Sequence, residues 1–294
     1  LFSMRAAFQG GVRYETEATN GITSLLARTL TRGTASYEAE QISHLVDSLA
    51  GSLNAMGGRS SMSVRGEFLS KHFERGFDLF AEVMNRPSFP EAEVARERHL
   101  QLQDIAARED RPSSVAFELF SKTLFTKHPY RLSLSGEKAS VESLTPAMLK
   151  DFHATWFDPS RLTLAVVGDV DTQAVVEAAT KAFGQSRGTP LAPSVPAEPV
   201  VEAPRQVKRT LAKAQTQLVL GFPGARVTDD WRRPLEVLST LLSGQSGRLF
   251  IELRDKRSMA YSVSSTTLEG VDPGYFAVYM ATSPEKVDAA LAGM

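Results

Sequence analysis

Residues 184–206, GQSRGTPLAPSVPAEPVVEAPRQ, contain five of the chain's fifteen prolines and no periodic apolar pattern. Proline locks φ at about −65° and lacks a backbone donor, so such a stretch builds neither a helix interior nor a central strand. It reads as an extended, semi-stiff connector. The 294 residues are thereby divided into a first domain, 1–183, and a second, 207–294.

The patterns on the two sides are related. On the first side, 2–8 alternates as a strand and runs into a Gly10-Gly11 turn. Residues 20–31 set Ile22, Leu25, Leu26 and Leu30 at helical spacing, and 36–50 repeats this with Ile42, Leu45, Val46 and Leu49. Residues 60–67 read as extended, 68–84, 91–109 and 146–155 as helices, and 162–167 as a short buried strand. On the second side, 217–222 is a strand, 233–242 and 247–256 are helices, 261–267 and 275–281 are strands, and Ser283 caps a last helix. Strand, two helices, strands, helix recurs. That order predicts an α+β protein of two related domains, with mainly antiparallel sheets flanked by helices. Leu1 already lies in a strand pattern and 286–294 in an unfinished helical one, so the chain reads as a fragment with a truncated second domain and no visible signal peptide.

Composition excludes several functions. Thirty-three basic and thirty-four acidic residues leave a net charge of −1, which gives no general attraction to nucleic acid or anionic membrane. No apolar run approaches the roughly 18–20 residues that span a bilayer. Cysteine is absent, which removes disulfides, thiolate metal sites and a thiol nucleophile together, and leaves the compartment open.

Two motifs carry a resemblance. The run NGITSLLARTLTRGT, 20–34, resembles the first helix of the pitrilysin/insulinase metallopeptidases, where H-x-x-E-H precedes a Gly-Thr pair. In that family the histidines hold zinc and the glutamate is the general base. The matching positions are Ser24, Ala27 and Arg28. Residues i, i+3 and i+4 share one helical face, opposite Ile22, Leu25 and Leu26, so the geometry is kept. The chemistry is not: serine and alanine supply no imidazole, and a guanidinium repels a divalent cation. The family's third ligand is an acid 76 residues beyond the second histidine, which falls on Asp104 in the run ARERHLQLQDI, 95–105. Glu97 precedes it by nearly two turns and shares its face. Without histidines opposite, Asp104 reads as a solvated or arginine-paired carboxylate, with Arg28 the candidate partner. Glu40, His44 and Asp47 have ligand spacing but lie opposite the apolar stripe and so are expected to face water. No metal is expected in this chain.

The second motif, SGQSGRLFIELRDKRSMAYSV at 243–263, resembles the family's second-half signature. There an arginine and a tyrosine seven residues apart bind the peptide and steady charge at the scissile carbonyl. Arg254 and Tyr261 match that pair. Taken singly they read as a surface charge and a half-buried strand aromatic. As a pair of donors they suit an oxyanion, a role worth about 2.7–4 kcal/mol per donor in other hydrolases. Residues 51–55, GSLNA, resemble a Gly-rich turn with Asn54 and Ala55 leading into an edge strand at 61–64. In zinc-bearing members that edge takes the peptide as an added strand, while a plain hairpin is the structural alternative. Tyr130 and the passage 156–169 also resemble the family, as core and turn residues.

The resemblance implies a fold like that of mitochondrial processing peptidase, and a non-catalytic half similar to that enzyme's non-catalytic subunit. It implies no peptidase activity alone, a partner half with H-x-x-E-H and zinc, fused or separate, and a peptide substrate. Two alternatives stay open: an assembly protein of this fold with no part in proteolysis, and a stand-alone peptide-binding module.

Overall fold

The computed structural model describes residues 1–185 and 194–294; residues 186–193 of the predicted connector lie outside the described residues. In chain order the elements are β1 (Phe2–Gln9), α1 (Ile22–Thr29), α2 (Ala39–Ser48), β2 (Ser52–Gly57), β3 (Ser61–Phe68), α3 (Phe73–Asn85), α4 (Glu91–Glu109), α5 (Pro112–Leu124), α6 (Lys138–Ser143), α7 (Pro146–Trp156), β4 (Thr163–Gly168), α8 (Thr172–Phe183), β5 (Thr216–Pro223), α9 (Arg232–Leu242), β6 (Ser262–Leu268), β7 (Tyr275–Thr282) and α10 (Val287–Gly293). The class is α+β with antiparallel sheets, as the alternating periods predict.

Two compact units emerge. The first combines Leu1–Ala106 with Leu132–Val195. Its sheet has the order β2-β3-β1-β4, every pair antiparallel. β1 alternates strictly: Phe2, Met4, Ala6 and Phe8 are buried, as a strand with one face on a core requires. Leu25 and Leu26 from α1, Phe68 from β3, and Phe77 and Phe80 from α3 complete that core.

The second unit combines Ala107–Arg131 with Pro196–Met294. Its sheet has the order β5-β7-β6, again antiparallel. α5 belongs here, although the sequence reading groups residues 107–131 with those before the connector. The reason is apolar fit. Phe120 meets Tyr275 edge-on at 5.0 Å and Phe117 stacks on Tyr279 at 5.7 Å. Gly221 makes room: a Cβ there would lie 2.4 Å from the Phe120 ring. Leu249, Leu253, Val263, Phe276, Val278 and Met280 form the unit's other core.

The eight-residue pair β1–β3 corresponds to the eight-residue pair β5–β7, with β2 and β6 on the outer side of each. Two details depart from the sequence reading. Residues 51–55, read as a turn, fall mostly in the edge strand β2, and 61–64, read as the edge, lie in the interior strand β3. The reversal itself falls at Gly58–Ser60, where the Gly58 N–H bonds the Ser61 carbonyl at 2.8 Å. The segment 247–256, read as an ordinary helix, contains a π-helical turn over Phe250–Asp255.

Candidate functional site

α1 is positioned first by its own start. Gly21, its N-cap, takes φ +97°, a left-handed conformation that glycine reaches without strain. A Cβ there would also lie 2.7 Å from Val141. The buried carboxylate of Glu15 accepts hydrogen bonds from the backbone N–H of Gly21 (2.8 Å) and Thr23 (2.9 Å) and from Asn20 Nδ2 (2.8 Å). It therefore satisfies the donors a helix start leaves unpaired. Burial pushes the Glu15 carboxyl upward, against the pull of those bonds. The side chain of Gln101, fully buried in α4, donates to the Gly21 carbonyl at 3.0 Å and the Ser135 carbonyl at 2.8 Å. α1 and α4 are thus tied at one end before any metal is considered.

Along the same face lie the positions that resemble the family's metal helix. Ser24 is half-buried and Ala27 buried. The Arg28 guanidinium bonds the Asp104 carboxylate across from α4. One turn further, Arg32 Nε donates to Glu97 Oε1 at 2.8 Å, and that carboxylate is buried. Arg28, in α1, and Arg32, three residues beyond its end, thus meet two acids at i and i+7 on α4, which share one face of that helix. A zinc site requires three or four deprotonated N, S or O donors. Here the corresponding positions hold a hydroxymethyl, a methyl and a guanidinium, which has no lone pair to offer a metal, and the one carboxylate is bonded to that guanidinium. These residues do not fit zinc. Among the described residues, no three His, Cys, Asp or Glu side chains are gathered for a metal ion. Glu40 and His44 lie 4.0 Å apart with both side chains largely in water.

Asn54 and Ala55 pair with Arg65 and Val64 in the β2–β3 ladder. They stand on the sheet's outer strand, Asn54 exposed and Ala55 half-buried.

In the second unit, the small-residue segment after α9 is anchored to β6: Ser243 Oγ accepts from the Ser265 N–H at 2.9 Å. The π-helical turn follows, marked by the Lys256 N–H bonding the Ile251 carbonyl, five residues back, at 3.0 Å. Leu253 points into the core while Arg254 is half-buried beside it. Tyr261, 77% exposed, immediately precedes β6. The structure brings the two together: the Arg254 guanidinium carbon lies 5.5 Å from the Tyr261 ring centre and 4.4 Å from that of Phe250. The sequence does not point to Glu15, which sits in a polar loop with no capping spacing; Phe250 lies within the 243–263 motif, but nothing in its spacing assigns it a contact with Arg254.

The profile of the insulinase family, peptidase M16, matches residues 3–138, and that described as the peptidase M16 inactive domain matches 143–294. An uncharacterized zinc protease of Streptomyces coelicolor is 33% identical over 98% of this chain, which spans 65% of that protein. One from Mycobacterium tuberculosis is 32% identical over 94% of this chain, covering 64% of its length. The chain thus spans just under two thirds of these relatives. Among solved structures, a Helicobacter pylori protease superimposes with a TM-score of 0.90 at 23% identity, covering 99% of this chain and 73% of that one. The peptidase M16 inactive domain from Pseudomonas fluorescens gives 0.85 at 25% identity, covering 99% and 71%. With the ordered α+β units, the helix lacking metal donors and the paired arginine and tyrosine, these matches place the chain in the insulinase family, peptidase M16.

Proposed function

We propose that this chain is the non-catalytic half of a zinc-dependent metalloendopeptidase. It lines a peptide chamber and supplies Arg254 and Tyr261 to the zinc site of a homologous half bearing H-x-x-E-H, fused or separate. The observation that carries this reading is the occupancy of the ligand helix: Arg28 is bonded to Asp104, so the acid that would serve a metal serves a guanidinium instead. Support comes from Arg254 and Tyr261, which lie side by side with the tyrosine open to solvent. A fixed cation and a phenol can both donate to the oxygen of a carbonyl under attack. The outer strand β2, with Asn54 and Ala55, offers backbone groups for an added peptide strand.

The test is reconstitution. The chain by itself should hydrolyse no peptide. Mixed or coexpressed with a homologous half carrying H-x-x-E-H, it should raise that half's kcat/KM, and Arg254→Ala or Tyr261→Ala should each lower the reconstituted kcat by about 10²–10³-fold. Full activity in both variants would remove the catalytic part of the proposal.

A further inference from the structure

Arg254 is held differently from the arginines that pair with acids in this chain. Arg28, Arg32, Arg209 and Arg232 each bind a carboxylate. Among the described residues Arg254 makes no ion pair; its guanidinium lies against two aromatic rings, Phe250 closer at 4.4 Å and Tyr261 at 5.5 Å. The distinction matters chemically. A carboxylate takes up the N–H donors of a guanidinium, whereas a ring face attracts the cation and leaves those donors unspent.

The two rings are not equivalent supports. Tyr261 is mostly in solvent, but Phe250 is packed on the core formed by Leu249, Leu253 and Val263. Phe250 opens the π-helical turn and Arg254 lies four residues on, within the same widened turn. Single π-type turns inside helices are frequent at functional sites. We propose that Phe250 is a positioning residue: seated on the core, it fixes the Arg254 guanidinium by its face and so keeps the N–H donors available to a carbonyl or carboxylate oxygen of a bound peptide. This rests on the reading of Arg254 as a peptide-facing donor, but its own test is separate.

In the full chain, the ¹H–¹⁵N signal of Arg254 Nε–H should lie upfield of the other arginines, displaced by the Phe250 ring current. Phe250→Trp should keep the displacement and Phe250→Leu should abolish it. Titration with sodium formate, followed at the Arg254 signal, should saturate, and Phe250→Leu should weaken the apparent affinity about 2- to 5-fold. Should Phe250→Leu fail to fold, Phe250→Met provides the same comparison. An Arg254 signal at the common arginine position in the unmodified chain overturns the proposal, as does a formate affinity unchanged by Phe250→Leu. If the ring-current shift is present while Arg254→Ala leaves the reconstituted peptidase unaffected, the clamp stands and the catalytic reading of Arg254 falls.

Discussion

At Glu15 a single carboxylate takes up three N–H groups at the start of α1, two from the backbone and one from Asn20. Glu15→Ala strands those donors in a buried place and should cost about 2–3 kcal/mol, measured by urea unfolding. The two pairs that join α1 and the segment after it to α4 differ in burial. Arg28 and Asp104 are both substantially solvated, so breaking that pair should change stability by less than about 1 kcal/mol. Glu97 is 5% exposed, and Arg32→Met leaves its carboxylate unpaired at a cost of about 1–3 kcal/mol. Because these links run through guanidinium–carboxylate pairs, excess EDTA should leave the thermal midpoint of the isolated chain unchanged. A drop in Tm on chelation would reveal a resident metal and refute that account.

Among the elements, the loop 126–128 depends on a charge placed far along the chain. Glu198 accepts from the backbone N–H groups of Thr126, Lys127 and His128, at 2.8–2.9 Å, and from the Thr126 hydroxyl. Burial by itself would raise its pKa, but these bonds outweigh it and hold the carboxyl below its ordinary 4.5. The sign follows: the folded state prefers the ionised form, so the stabilisation is present above pH 4.5 and is lost as pH falls through the lowered value. Acid unfolding of the second unit, followed by Trp231 fluorescence, should therefore steepen below pH 4.5, and Glu198→Gln should remove that part of the slope. Most elements were legible in the sequence because a strand or helix against a core repeats with a period of 2 or 3.6. The helix at Phe73–Asn85 and the strand at Phe2–Gln9 are cases in point. β2 was not: Gly51, Asn54, Gly57 and Gly58 are turn-forming residues, and only pairing with β3 makes 52–57 a strand. Nor was the π-helical turn, whose hydrogen bonds span five residues where those of an α-helix span four, over a window too short to disturb the apolar pattern.

For the whole molecule, we propose that the domain boundary falls within 184–206, and the contribution of α5 to the second unit gives that boundary a consequence. The unit is assembled from Ala107–Arg131 and Pro196–Met294, so a cut in the connector separates α5 from the sheet it covers. Residues 1–195 and 196–294, expressed as two pieces, should copurify when made together. Alone, 196–294 should bind a hydrophobic dye through the surface that Phe117 and Phe120 cover in the intact chain. A well-folded 196–294 that binds no dye would show that the unit does not need α5.

The α+β class, the related order of elements on either side of the connector, and the lack of imidazole or carboxylate at Ser24, Ala27 and Arg28 are all set in the sequence. Each of these resides in a short window: residue chemistry and periodicity are local properties. The Arg28–Asp104 pair was an expectation that the structure bears out, whereas only the folded chain decided that Arg32 meets Glu97, that β2 forms the sheet edge, that α5 joins the second sheet, and that Phe250 lies against Arg254. Those outcomes depend on which surfaces meet once apolar faces are buried, and side-chain spacing along the chain does not encode which distant surface, or which local backbone register, gives the best fit.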